Sequence, residues 1–431
     1  MAACFSVAIA QVGAIEPADV LVFTMDPVML RPRVALSETY NDNIFSLQNG
    51  EGDFLTTLSP GLNLQVGKSG LNFISLDYTL NENFYANRSD LNAGEHNFGL
   101  NTRFFGSKLV VTGTDRVQLL SSPIGLVQVF SPFPVGPVSP PTGGGDTGTA
   151  GGGGGAPSST VVGETPGASG SGEALITEER NVKRTVFFDS YNIGYRLGEK
   201  TGAYLQGLHS STDYERGIQN IFDIDTLQAT AGFGYQAFPK TSVFGEIFYG
   251  QTTTTPNTDA SKIPDLSFVG GSFGVRGNLT EKLSGVVKAG YEIRRFSDNS
   301  SAPSAPVANL SLNYRFSNKT SLSLDYARLY DVSIQFAKVS YTANSLTAQL
   351  SQAIGSNGKW RASLGGSYST FEYESGSSPY NRYSANFGLA YQVQVWLTAN
   401  LGYSFDRISY VSSGSAGYDI NRISLSLALG Y

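Results

Sequence analysis

The last nine residues constrain the fold most. Ile423, Leu425, Leu427, Leu429 and Tyr431 alternate with Ser424, Ser426, Ala428 and Gly430, and the sequence stops on the aromatic. Apolar residues at every second position describe a strand with one oily and one small polar face. A bare aromatic strand at a chain end invites aggregation unless both of its edges are paired. Closure of the sheet into a barrel supplies the second partner.

Composition agrees with a barrel in a membrane. Of 431 residues only 15% are charged, against roughly 25% in soluble globular proteins. Tyr and Phe number 23 and 26, and glycine 50, yet no internal run approaches the ~18 apolar residues of a spanning helix. A chain poor in charge and rich in aromatics, without apolar helices, fits a transmembrane β-barrel, whose signal per strand is weak. The net charge of −6 gives no reason to expect a nucleic-acid partner. The single cysteine, Cys4, excludes a disulfide framework, and its place near the start leaves a cleaved chain without thiols. Residues 1–10 resemble the tail of a secretory signal, with Ala8-Ile9-Ala10 as a small-x-small cleavage site before Gln11. Export through the Sec pathway is the expectation, from a start that lacks the basic n-region. Residues 11–27 would then be a periplasmic segment and 28–431 the barrel.

Turn signals recur along the chain. Short ones lie at 66–70, 106–108, 198–201, 239–241, 280–282, 317–320 and 356–359, with an eighth, lacking glycine, at Gln392–Gln394. Gly, Asn and Ser supply the turn conformations, and Lys keeps the turns wet. Between them lie longer polar stretches at about 42–51, 86–94, 120–182, 215–221, 252–264, 297–305, 331–337, 375–380 and 410–418. Eight turns and nine loops join eighteen strands, with a range of 16–18 because 203–212 and 339–352 alternate poorly. The expected fold is an all-β, antiparallel, up-and-down transmembrane barrel with short periplasmic turns and long extracellular loops. Arg196, Gln236, Arg276, Arg315 and Gln352 recur every 37 to 40 residues, one hairpin plus loop. A fixed period of this size marks an array of one supersecondary unit.

The alternation also assigns faces. Val287, Ala289, Tyr291 and Ile293 oppose Lys288, Gly290, Glu292 and Arg294, and Leu397, Leu401 and Phe405 oppose Thr398, Asn400 and Asp406. Eighteen strands enclose a lumen too wide for side chains to fill. The apolar rows must therefore face lipid, where a charge costs roughly 2–4 kcal/mol at the midplane, and that face should be nearly free of charge. The polar rows line water. Phe104, Tyr195, Tyr314, Phe316, Trp360 and Trp396 sit beside short turns, as an interfacial girdle would.

Certain motifs resemble a known family. Tyr40-Asn41-Asp42-Asn43-Ile44-Phe45 at a strand end, Leu58-Ser59-Pro60-Gly61-Leu62 and the repeated Tyr-Arg before Lys-bearing turns are similar to the putative β-barrel porin 2 family of Gram-negative bacteria, and the alternating C-terminus with its terminal aromatic resembles the C-terminal signal of bacterial outer-membrane barrels in general. Genes of that family often lie beside exopolysaccharide or exosortase genes. The resemblance runs from about residue 28 to the end. It implies an integral outer-membrane protein inserted by the barrel assembly machinery, with Ile423, Leu425, Leu427, Leu429 and Tyr431 as the assembly signal. It implies a passage or export role and brings no catalytic residues and no cofactor. The insertion at 120–182 departs from the compact pattern.

Candidate lumen residues follow from the inward rows. Arg103, Arg196, Arg276, Arg315 and Arg361 would lie near the periplasmic mouth, with Lys288, Glu292, Arg294, Asp325, Arg382 and Asp406 also among the lumen or mouth lining. Rings of like charge in a pore select ions; alternatively each pairs with a neighbour and stiffens the wall. The 120–182 stretch, dominated by Gly, Pro, Ser and Thr, cannot bury enough apolar surface to fold alone and reads as an extracellular loop. His96 and His209 each adjoin residues that point to the opposite face, so no local nucleophile–base pair forms and no enzyme is expected. Asp42 with Asn43, and Asp223 with Asp225, read as solvated loop residues rather than a cation site. The chain reads as a porin-like channel for small polar solutes or for export of a polymer such as an exopolysaccharide. The alternative is a plugged docking barrel whose loops bind a surface polymer or partner protein.

Overall fold

In a computed structural model the described residues are 22–67, 72–123, 180–216, 221–256, 263–298, 304–333, 336, 339–355, 358–374, 378–411 and 417–430. The signal-like start, most of the 120–182 stretch and Tyr431 lie outside them. A short strand β1 (Phe23–Met25) precedes eighteen long ones. These are β2 (Val28–Asn41), β3 (Asp53–Gly67), β4 (Phe73–Tyr85), β5 (Ala93–Phe105), β6 (Leu109–Pro123), β7 (Asn181–Arg196), β8 (Thr201–Tyr214), β9 (Phe222–Phe238) and β10 (Thr241–Pro256). Then come β11 (Leu266–Asn278), β12 (Leu283–Phe296), β13 (Ala305–Ser317), β14 (Thr320–Val332), β15 (Ser340–Ile354), β16 (Trp360–Tyr373), β17 (Tyr380–Gln394), β18 (Leu397–Tyr410) and β19 (Tyr418–Leu429).

Each long strand pairs antiparallel with its sequence neighbours, and β19 pairs with β2 to close the barrel. Eighteen strands at ~4.8 Å spacing and a tilt of about 40° give a backbone radius of about 18 Å. The closing seam is shorter than the other long pairings, running from Arg422 opposite Asn41 to Leu429 opposite Val34. Side chains staple its upper end. Asp42 accepts from the Asn421 backbone N–H at 2.6 Å and from its side-chain amide at 2.7 Å, and the Asn43 amide donates to the Asp419 carbonyl at 3.0 Å. The Tyr-Asn-Asp-Asn motif thus joins the first long strand to the last. Below the seam, the free edge of β2 is taken by β1, which places Phe23 opposite Leu30.

Among the described residues the strand ends bracket the short turns where expected, except the eighth. There β17 continues through a register shift between Gln392 and Gln394, and the turn is Val395–Trp396. Loop edges move for a similar reason. The run Thr252–Thr255, expected as loop, extends β10 to Pro256 because β-branched residues suit extended backbone. At the short-turn rim one contact repeats. Lysine carbonyls in the turns accept N–H bonds from the next hairpin, as in Gln236 N–H to Lys200 at 2.7 Å and Arg315 N–H to Lys282 at 2.8 Å.

Outward rows are apolar and exposed. Ile423, Leu425 and Leu427 project outward, as do Val287, Tyr291 and Ile293. Phe104, Tyr195, Phe316 and Trp360 form exposed aromatics near the short turns, with Trp360 4.4 Å from Tyr391 and Tyr314 4.7 Å from Phe316. On β16 the next exposed outward aromatic is Tyr368. Eight residues of tilted strand separate it from Trp360, about 20 Å along the barrel axis.

Two expectations about the faces need correction. The inward rows are not uniformly polar: Tyr204, Leu208, Phe244, Phe248 and Phe268 point inward on β8, β10 and β11 and are buried. They fit because glycines stand opposite. A Cβ at Gly232 would lie 2.1 Å from the Tyr204 ring, and one at Gly270 would lie 2.3 Å from the Phe248 ring. This mixed inner face is why β8 alternates poorly in sequence. Nor is the outward face free of charge. Asp115, Asp189 and His209 share it on β6, β7 and β8, with Val117 and Leu119 beyond Asp115 on the same row. Asp115 is hydrogen-bonded, which offsets its desolvation, while Asp189 directly opposes it and leaves one carboxylate oxygen without a partner. Tyr191 donates its hydroxyl to Asp115 at 2.7 Å, and His209 lies 3.8 Å from Asp189 and 2.8 Å from Asp225.

Leu364, 57% exposed, lies on the outward row between Trp360 and Tyr368, and its neighbour Ser363 points inward. Leu364→Arg should cost about 2–4 kcal/mol of stability in vesicles, and Ser363→Arg well under half of that. Urea titrations of both variants in phosphatidylcholine vesicles check the difference; equal losses would contradict the assignment of faces.

Candidate functional site

The candidate site is the inner wall. Its register is continuous around the barrel, because directly opposed residues on neighbouring strands share a face. Arg276 stands opposite Ser242, Lys288 opposite Gly274 and Asn309, and Arg315 opposite Ser321. Arg382 stands opposite Ser369, and Asp406 opposite Ser384. All eleven candidate lumen residues therefore belong to the inward rows.

They divide by height. In the middle and upper wall, several charges are paired, though Arg116 and Asp325 are in no ion pair among the described residues. The Lys288 ammonium donates to Glu246 at 3.1 Å, with the two side chains 6% and 3% exposed. Ser272 donates to the same carboxylate at 2.9 Å, and the Tyr204 hydroxyl donates to its other oxygen. Arg294 donates to Glu292 and to the Tyr330 carbonyl. Asp406 accepts from Arg382 at 2.9 Å and from Arg422 at 3.0 Å. On the first strands Arg33 forks onto Asp77 at 2.5 and 2.9 Å. Asp325 lies inward between Ser311 and Thr347.

The short-turn mouth is different. Arg103, Arg276 and Arg315 each stand two residues before the end of a descending strand, as do Gln65, Gln236 and Gln392, and Arg196 ends β7; Gln352, at the same place on β15, faces outward opposite Thr320. The opposed residues are mostly small, among them Thr112, Gly202, Ser242 and Ser321, which leaves room for long planar heads. Arg276 lies across Gly234 and over the Phe244 ring at 5.0 Å, and Arg103 lies over Phe105 at 4.4 Å. Among the described residues Arg103, Arg196, Arg315 and Arg361 make no ion pair.

At the opposite end, inward aromatics pack into one cluster. Tyr341, Phe371 and Tyr380 are fully buried with Leu329 and Ile408, and Phe371 stacks on Tyr380 at 4.5 Å. Phe336, beyond β14, meets Tyr373 edge-on at 5.8 Å. Beside the seam, a cavity of about 530 Å³ is lined by Asp42, Gln48 and Tyr418 and by the Arg407–Asp419 pair. In the loop after β4, Arg88 pairs with Asp90 at 2.8 Å and Glu51 at 3.0 Å. Its guanidinium holds the Asp90 carboxyl below the ordinary carboxylate value, and the two acids hold Arg88 above its own.

Some of this escaped sequence reasoning. Glu246 sits between Phe244 and Phe248 on a row that reads as apolar, and only the β10–β11–β12 register shows its partners. The His209 contacts run across strands, beyond any local motif. Among the described residues no group of three or more metal-ligating side chains converges. Nor does a nucleophile meet His209, whose nitrogens face the two aspartates while Ser211 donates to Asp213 at 3.1 Å.

A family model described as putative beta-barrel porin 2 matches residues 201–431. Among curated proteins none matches the sequence. Similar solved structures include the outer membrane protein opdK of Pseudomonas aeruginosa, at 11% identity over 93% of this chain and 99% of that one, with a TM-score of 0.44. OpdL of the same organism shows 12% identity over 94% and 99%, with a TM-score of 0.45. The FrpB iron transporter of Neisseria meningitidis shows 10% over 93% and 81%, with a TM-score of 0.44.

The Lys288–Glu246 pair yields a prediction. Glu246→Gln leaves a buried ammonium without its counter-charge and should cost about 3–5 kcal/mol, while adding Lys288→Met should restore a large part of that loss. Urea unfolding of the wild type and the single and double variants in detergent measures both; a double variant no more stable than the single would refute the pairing.

Proposed function

Because this chain belongs to the putative β-barrel porin 2 family, matched over more than half its length, we propose that it is a porin-like channel for passive passage of small polar solutes or for export of a secreted polymer such as an exopolysaccharide. The observation that carries this reading is the width of the barrel. A closed ring of eighteen strands has a backbone radius of about 18 Å, and side chains from opposite walls do not meet across it. The inward rows of polar and charged residues then face water, and solutes are selected by lumen width and by the charges of the wall. The inward aromatic cluster at the loop end narrows that mouth on one side.

The cellular route belongs to the same reading. The small-x-small site at Ala8-Ile9-Ala10 fits Sec export. The alternating row from Ile423 to Leu429, ending on Tyr431, fits recognition by the barrel assembly machinery.

Protein folded in detergent and added to planar lipid bilayers in 1 M KCl should give stepwise single-channel currents, and liposomes containing it should swell in small sugars. Silent bilayers and impermeable liposomes from well-folded protein would replace the channel with the docking barrel.

A further inference from the structure

The short-turn end of the barrel carries a concentration of positive charge that the channel reading does not explain by itself. Inside the mouth stand Arg103, Arg196, Arg276, Arg315 and Arg361. Just below them, in the turns, stand Lys108, Lys200, Lys240, Lys282, Lys319 and Lys359. The same turns and strand ends contain Glu199 and Glu281, and the β1–β2 turn at this rim adds Asp26. The chain as a whole is acidic, with 35 Asp and Glu against 29 Lys and Arg. Charge is therefore sorted along the barrel axis, cations at the short-turn end and a strongly acidic remainder. Deeper in the wall several cations have carboxylate partners: Lys288 has Glu246, Arg294 has Glu292, and Arg382 shares Asp406 with Arg422, while Arg116, opposite Gly99 and Phe188, has none among the described residues.

Cations that hold a wall together need acids beside them, and the collar arginines other than Arg276 have none among the described residues. A ring of like charge costs self-repulsion and is useful where a counter-charged solute passes. Wet turns need some lysine, but this does not account for arginine and glutamine two residues inside the strand ends.

We propose that the periplasmic mouth is an anion-collecting vestibule, so that the cargo carries carboxylate, phosphate or sulfate groups and is captured from the periplasmic side. This rests on the channel reading and adds the sign of the cargo and its side of entry. The opening is about 18 Å in backbone radius, and the screening length is ~10 Å at 0.1 M salt and ~3 Å at 1 M. The field of the collar reaches the axis in dilute salt and collapses in concentrated salt.

The test uses bilayers holding the full-length protein under a KCl gradient averaging 0.1 M. The expected reversal potential shows a several-fold preference for chloride over potassium, which fades at 1 M. Arg103→Glu/Arg315→Glu/Arg361→Glu should bring the ratio below one, because these arginines support no ion pair whose loss would unfold the barrel. Polygalacturonate should interrupt the current from the periplasmic side only, with orientation read from a thiol-directed block of Asn318→Cys. Open currents without chloride preference, or equal block from both sides, overturn the vestibule while leaving the channel reading intact. If no current appears, the channel reading fails by itself, and the vestibule is judged by fluorescent polygalacturonate in detergent. Salt-sensitive binding lost in the triple variant supports it, and absence of binding overturns it.

Discussion

The peptide hydrogen bond without water as an alternative partner is the constraint on which this structure depends. In hydrocarbon each unpaired N–H or C=O costs several kcal/mol, so a sheet can cross only if no edge is left over. Every other feature follows from meeting that condition. The strands are uninterrupted over 12 to 17 residues, and the last one must find the first. At that seam the pairing is short, and Asp42, Asn43 and Asn421 add side-chain bonds where the ladder stops. Below it, β1 covers the part of β2 that β19 does not reach. Both devices act at the one place where sequence neighbours cannot supply the pairing.

Closure on this scale turns the usual arrangement of faces around. In a soluble barrel the oily rows meet inside; at about 18 Å radius they cannot, and solvation by lipid takes the place of a core. The wall must then be stabilised laterally. Part of this is aromatic: inward rings on β8, β10 and β11 lie across glycines on neighbouring strands, covering backbone that a wide wet lumen would otherwise expose. Part is ionic: Glu246 gathers a lysine, a tyrosine and a serine from three strands. A carboxylate so enclosed pins register, because a one-residue slip would turn it to the opposite face.

How much could be read from sequence follows the range of the interactions. Strand number, short-turn positions and outward rows depend on period-2 alternation and turn chemistry, which are local, and they were legible. The inward direction of Arg103, Arg196, Arg276, Arg315 and Arg361 also followed from alternation. The partners of these rows did not, because pairing depends on register between strands separated by variable loops. Glu246 with Lys288, 42 residues apart, and His209 with Asp189 and Asp225 are of this kind. The turn at Val395–Trp396 was misplaced by two residues because a bulge, which leaves little trace in composition, lengthens β17. The inner aromatics were missed for another reason. On β8 and β10 both faces carry large apolar residues, and alternation has no contrast to report.

The distribution of paired and unpaired charge completes the argument. An ion pair in the wall trades desolvation for attraction and gains rigidity, so it belongs where side chains are enclosed, as Lys288, Glu246, Glu292 and Arg294 are. At the mouth, Arg315 and Arg361 are exposed, desolvation is small, and an acid partner would bring little stability. The same side chain therefore serves two ends according to its height. Enclosed, arginine fastens one strand to the next; exposed at the rim, it leaves its charge to the water-filled opening.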